Sequence, residues 1–499
     1  MAIKIGWSMK DVSLDEPMSI PGQSIMRISE GVLDPVCVTA LCVDGGAGKD
    51  KVIFLSMDGL SSIAIAEIDG RARKRCPDLP HYVIVMNATH AHTTGAKRET
   101  PEKTPDGKEI YPGLKYREFV LDKCAEAVCE AWENRAEGGV SYGYGYAVVA
   151  HSRRVVYLDD TSLRSTAGNM SANGHGVMYG NTDDPMFSHY EAGADHFLNA
   201  MFTYDREGKV TGVVVNVPCP SQVSEMLSYQ TADYWHDIRV AVRKEFGEHV
   251  YVLPQCAAAG DLSPRVLHYQ AAQARRMKLK YGLEYDPNGS RHQFNKGMGE
   301  RRDIAERVLE GLKDIYSWSK KEILTDCPVR HIHRKMDLTK RIVTEEERVE
   351  YEEKLKDMKE QVPDPDMYSP EEYRKKKSYN DAMQRRCERV LNKYEAQETD
   401  KTLNITVHAV QIGEISFTTN RFELYQDFQH RIQARSPFMQ TFIIQLGGDT
   451  GGTYLPTARA VANKGYSACI FNNVIGPEGG QELVENSLDM LNELYNRED

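Results

Sequence analysis

Short apolar runs that end abruptly in small or polar residues set the tightest limits on how this chain folds. Tyr82–Met86 leads into Asn87-Ala-Thr-His-Ala-His-Thr-Thr94, Val52–Leu55 into Ser56-Met-Asp58-Gly59, and Val213–Val215 into Asn216-Val-Pro-Cys-Pro220. Val250–Leu253 leads into Pro254 and on to Gly260-Asp-Leu-Ser263, and Phe442–Ile444 into Gln445-Leu-Gly-Gly-Asp-Thr450. Each run has the length of a buried strand and is too short for a helix. Helix-like stretches lie between them, for example over 116–130 and 231–246. Strands alternating with helices predict an α/β fold, a layered mixed sheet flanked by helices. The polar strand ends would converge on one edge of that sheet and form a cleft.

A chain of 499 residues suits two or three average domains or one large enzyme domain. Its net charge of −11 argues against a generally basic surface, so no nucleic-acid partner is expected. No apolar run approaches the ~20 residues of a membrane span, and none is expected. Met1–Trp7 lacks the apolar core of a secretion signal and looks like a first strand. The 10 cysteines form no Cys-x-x-Cys pairs, which predicts buried, reduced thiols and a cytoplasmic location.

Residues 266–400 are rich in Lys, Arg and Glu. Thr344-Glu-Glu-Glu347 has capping-box spacing, and Ser369-Pro-Glu-Glu372 repeats that start signal with Pro at the first helical position. Tyr351, Leu355, Met358 and Val362 share one helix face; Met383, Cys387, Val390 and Tyr394 share another. Pro363 and Pro365 separate the two helices. This predicts a mostly helical insertion, a charged hairpin, inside an α/β body formed by 1–265 and 401–499. The charge reads as a solvated face and the Met, Cys and Tyr stripe as core. Tyr351, Leu355 and Met358 suit either a cap over the cleft or the contact of a homo-oligomer.

Two histidines one residue apart, His90 and His92, stand where a strand opens into a loop. Such a pair can offer two nitrogens to one metal or can be plain loop residues. Ser263 sits in a Gly-Asp-x-Ser-Pro turn that could expose its hydroxyl or be an ordinary Asp/Ser turn. Arg153 and Arg154 could clamp a carboxylate or a developing oxyanion, or pair on a surface. Glu423 and Tyr454 lie in further loops where a lone Glu or Tyr is usually structural.

Taken in order, Thr-His-x-His, Arg-Arg, Gly-Asp-x-Ser-Pro, a Glu loop and Gly-x-Tyr-x-Pro-Thr resemble the catalytic domain of the neutral/alkaline (non-lysosomal) ceramidase family. The resemblance spans nearly the whole chain and implies a zinc-dependent amidase. It implies that His90, Glu423 and Tyr454 ligate zinc and that His92 stands beside the reacting group. It also implies that Ser263 is the active-site serine, that Tyr466 lies close behind, and that Arg153 or Arg154 contacts substrate. The family supplies a second zinc histidine after the strand that corresponds here to Val213–Val217. This chain has none there. Cys219 is the replacement expected, since thiolate binds zinc well; Gln222, Glu225, His175 and His189 are the other candidates.

The function expected is metal-assisted hydrolysis of an amide or ester bond in a small polar molecule rather than ceramide. One rival is a glycosidase or lyase on the same scaffold, with Asp58, Asp261, Glu423 or Glu191 as acid and base. The other is a non-catalytic binding protein that has lost its metal.

Overall fold

The computed structural model describes residues 2–60, 63–165, 172–283, 291–448 and 453–497. Asp449 and Thr450 of one expected loop, and Gly452 of the Gly-x-Tyr-x-Pro stretch, lie outside the described residues.

Two sheets stack face to face. The first comprises β1 (Lys4–Asp11), β2 (Cys37–Asp44), β3 (Lys51–Met57), β4 (Ile84–Ala88), β5 (Ala136–Tyr146), β6 (Phe197–Asp205), β7 (Val210–Val217) and β8 (Tyr251–Cys256). Its order is β8-β7-β6-β5-β1-β2-β3-β4, antiparallel except at β7–β8 and β3–β4. The second comprises β9 (Val329–Thr339), β10 (Thr402–Ile412), β11 (Ile415–Thr419) and β12 (Gln440–Ile444), with β11–β12 parallel.

The period of two along β2 and β3 explains the layering. Val38, Ala40, Cys42, Ile53, Leu55 and Met57 face a helical layer of α1 (Ile65–Arg75) and α2 (Gly113–Glu133). Leu41, Val43, Val52 and Phe54 face the second sheet, where they meet Phe417, Phe442 and Ile444. The Phe54 and Phe417 rings lie 4.9 Å apart. Strands buried on both faces therefore read as unbroken apolar runs.

At the other end of the first sheet, α3 (Tyr234–Phe246) and α5 (Arg291–Ser319) cover β6 and β7. α4 (Gln270–Tyr281) packs on α5. The outer face of the second sheet carries α8 (Gln426–Arg435) and α9 (Pro477–Tyr495). The result is an α/β fold of four layers, helices outside and sheets inside.

The segment 266–400 is not helical throughout. Strand β9 runs through its middle and pairs with β10 along its whole length. Helices α4 and α5 belong to the layer over the first sheet. The hairpin itself is α6 (Glu345–Glu360) and α7 (Pro370–Ala396), each opened by the capping box its sequence signals. Among the described residues no helix is long and apolar enough to cross a membrane.

Candidate active site

Five loop segments meet beyond the ends of β4, β7, β8, β11 and β12. The first follows β4. His90 adopts φ +65°, a left-handed conformation that a bulky side chain seldom occupies. Its amide donates to the Gly59 carbonyl at 3.0 Å, which fixes the bend. Asp58, weighed as a catalytic carboxylate, is buried and gripped by both nitrogens of Arg239 at 2.8 and 3.1 Å. It serves to hold the loop.

The imidazole Nε2 of His90 lies 3.3 Å from Oε2 of Glu423. Glu423–Leu424 and Tyr454–Leu455 are short parallel strands in register, so Glu423 and Tyr454 are neighbours by backbone pairing. Gly260 abuts this strand: a Cβ there would lie 2.3 Å from the Glu423 carbonyl oxygen. Arg153 closes the group. Its guanidinium is 3.6 Å from Glu423 Oε2 and donates to Tyr454 Oη at 3.3 Å, to the Gly260 carbonyl at 2.8 Å and to Gln222 Oε1 at 3.3 Å. Burial alone would raise the Glu423 carboxyl, but His90, Arg153 and Tyr454 hold it below the usual range. Burial drives the Tyr454 phenol well up, against the pull of Arg153.

His92 forms a second pair. Its Nε2 is 3.1 Å from the Gln222 amide nitrogen, and its Nδ1 is 3.2 Å from Glu225 Oε2, off the direction of a good hydrogen bond. Burial would raise the Glu225 carboxyl; His92, Arg265 and Arg153 bring it down to about 2. Burial depresses His92, so the ring is neutral near pH 7. Arg27 ties the two loops together, donating to the His92 carbonyl at 2.5 Å and to the Glu225 carbonyl at 2.6 Å.

His90, His92, Glu423, Tyr454 and Tyr466 line one cavity of about 300 Å³. Tyr466 Oη accepts from Arg386 of α7 at 2.9 Å. The hairpin thus supplies a wall of the site, and Arg389 from the same helix lines the mouth.

The other expected residues lie apart. Arg154 turns away from its neighbour and pairs with the buried Glu191 at 2.5 and 3.0 Å. Ser263 is buried, does not line the cavity, and its hydroxyl accepts from the Arg265 amide at 3.1 Å. Cys219 lies in the core under the first sheet, its thiol directed at the Val149 carbonyl 3.3 Å away. The physical reason is local: Cys219 follows β7 on its apolar face, while Gln222 and Glu225 come round to His92. His175 Nδ1 donates to the Tyr157 carbonyl at 3.2 Å, and His189 pairs with Ser188. Arg386, Arg389 and Arg27 escaped the sequence reading. The three-residue spacing of Arg386 and Arg389 on one helix face was the available signal.

Two donor atoms of a tetrahedral site with arms of about 2.1 Å stand roughly 3.4 Å apart. The 3.3 Å between His90 and Glu423 matches that edge. With Tyr454 as third donor, three protein groups meet the ligand count of a catalytic metal site. Among the described residues no group of three or more His, Cys, Asp or Glu could hold an ion. The fit therefore depends on the phenol of Tyr454.

No family model matches the chain, and no curated protein does. Among solved structures it is similar to neutral ceramidase from Pseudomonas aeruginosa, with a TM-score of 0.65 at 14% identity over 99% of this chain and 74% of that one. It is also similar to a ceramidase complexed with C2, with a TM-score of 0.64 at 13% identity over 100% and 76%. The chain has a neutral ceramidase-like fold.

Proposed function

We propose that this chain is a metal-dependent hydrolase, with zinc the ion suited to His90, Glu423 and Tyr454, cleaving an amide or ester in a small polar substrate. The convergence of His90, Glu423 and Tyr454 on one cavity, with Arg153 held against Glu423 and Tyr454, carries this reading, and the ceramidase-like fold supports it. A zinc ion bound there supplies polarisation of the scissile carbonyl and easier deprotonation of water. Arg153 fixes Glu423 and the Tyr454 hydroxyl and balances their charge. His92, neutral and oriented by Gln222 and Glu225, can accept a proton at its ring and return it to the leaving group. Tyr466 accepts from Arg386, so its own proton is free to donate into the cavity toward a developing oxyanion. The cavity's volume of about 300 Å³, with His90, His92, Glu423, Tyr454 and Tyr466 on its wall, supports a small polar substrate.

Metal analysis of the purified chain tests the proposal. About one zinc per chain is expected, lost in His90→Ala, with hydrolysis of a panel of chromogenic amides and esters lost on chelation and restored by zinc. Absence of metal together with full activity after chelation would remove it. Tyr466→Phe should lower kcat by roughly 10²-fold with little change in KM, as for loss of one oxyanion donor. A pure KM effect would place Tyr466 in binding instead.

A further inference from the structure

Beside the cavity of His90 and Glu423 lies a larger one of about 490 Å³. Arg389, Thr453 and Phe471 line both, so the two are neighbours across a thin partition. Its wall combines the last turns of α7 with the residues that follow β9. Lys340, Arg341, Arg389 and Lys393 all contribute to it. Some of this charge is answered: Lys340 pairs with Asp400 at 2.5 Å and Arg341 with Glu347 at 3.2 Å. Glu398 is exposed at the rim.

The remaining charge is not answered. The Lys393 ammonium donates to the Asn473 carbonyl at 2.9 Å and has no carboxylate partner among the described residues. Arg389 has no ion pair or hydrogen bond among them. Burial, with Arg341 and Lys340 nearby and only Glu347 opposing, brings the Lys393 ammonium down to about 7. Like charges gathered in a partly desolvated cavity repel, and an entering anion relieves that repulsion. The Arg389 fork suits a carboxylate, phosphate or sulfate.

We propose that this annex binds an anionic group (carboxylate, phosphate or sulfate) carried at one end of the molecule whose amide or ester bond lies against His90 and Glu423. The role of that molecule as substrate rests on the hydrolase reading; the anion site rests on the annex alone. The substrate is then two-ended, with its scissile bond in the smaller cavity and its negative end in the larger one.

Calorimetric titration of the full chain with inorganic sulfate tests the site without any hydrolysis. Saturable binding is expected, weakened about tenfold or more in Arg389→Gln and in Lys393→Met. Arg389 is exposed, so its replacement leaves the fold intact. Sulfate keeps its charge between pH 6 and 8.5, so any change reports the protein. Affinity should fall at the higher pH in the parent and not in Lys393→Met. The charged groups around Lys393 are Lys340, Arg341 and Glu347 across the gap and Arg389 on its own helix.

A second arm compares p-nitrophenyl butyrate with mono-p-nitrophenyl succinate. A preference of about tenfold in kcat/KM for the succinate, carried by KM and lost in Arg389→Gln, is expected. Sulfate binding with no hydrolysis of either ester supports the annex and removes the hydrolase. Equal hydrolysis of both without sulfate binding removes the annex and leaves the hydrolase. Binding to anionic phosphatidylglycerol vesicles but not to sulfate also overturns it, assigning the cations to a lipid surface.

Discussion

Glu423→Ala is expected to lower hydrolysis of every probe by roughly 10³-fold and to cost the fold about 3–5 kcal/mol. Both effects come from one carboxylate. Glu423 stands 3.3 Å from His90 and 3.6 Å from Arg153 and is paired by backbone to Tyr454. Its removal leaves the Arg153 guanidinium buried with only neutral acceptors: the Gly260 carbonyl, Gln222, Tyr179 and Tyr454. A buried cation without its counter-charge is among the costliest single-residue defects. Urea unfolding reads the stability effect. The double variant Arg153→Met, Glu423→Leu should recover most of the midpoint because no charge is left stranded. Activity should stay absent in it. Unchanged urea midpoints in Glu423→Ala would show that the ion pair does not hold the site together.

The strands were legible because the chain writes them in a period of two or as unbroken apolar runs. Val52–Met57 and Ile84–Ala88 are buried on both faces, and only a covered sheet produces that pattern. The division into two sheets was not legible, since a strand covered by a helix and one covered by a second sheet carry the same residues. Strand β9 was hidden for another reason. Its sequence, Val-Arg-His-Ile-His-Arg-Lys-Met-Asp-Leu-Thr, exposes charged side chains on alternate positions over much of its length. In a segment already rich in Lys and Arg that alternation blends into the helical charge around it.

The site divides along the same line. His90, Glu423, Tyr454 and Tyr466 sit on segments whose backbone leads to the cavity, and a motif in fixed order can mark such segments. Arg153 and Arg154 are adjacent, yet an extended backbone sends them to opposite faces: one to Glu423, the other to Glu191. The sequence alone cannot say which face is which. Ser263 does not line the cavity, and its hydroxyl accepts from the Arg265 amide. The α7 arginines look solvated in sequence since nothing there tells which wall the hairpin leans on. Only the fold brings Arg386 to Tyr466.

Asp261→Asn should leave stability almost unchanged near pH 4.5 and raise it by about 1–3 kcal/mol near pH 8.5. Asp261 follows β8, and its backbone carbonyl accepts from the Arg153 amide at 3.1 Å. Its Oδ1 accepts from the Gln426 amide at 3.2 Å, while its Oδ2 is buried without a partner among the described residues. A carboxylate oxygen so placed is better off protonated. Burial, helped by Asp427 and opposed by the amides and Arg153, lifts the carboxyl from 3.8 to about 7. The sign follows. Below about pH 4 folded and unfolded chains both carry the proton, and the group costs nothing. Between about 4 and 7 the unfolded chain releases it and the folded chain keeps it, so stability falls as pH rises. Above that range the folded state carries a buried charge at a cost of up to about 4 kcal/mol. Asparagine keeps the Gln426 bond and removes the charge, though its buried amide N–H lacks an acceptor, which reduces the gain. Urea unfolding of parent and variant at both pH values isolates this group, because the other titrations cancel in each comparison. A variant that differs from its parent equally at pH 4.5 and 8.5 would show that Asp261 is already ionised without penalty in the folded chain, and that the unpartnered oxygen is solvated.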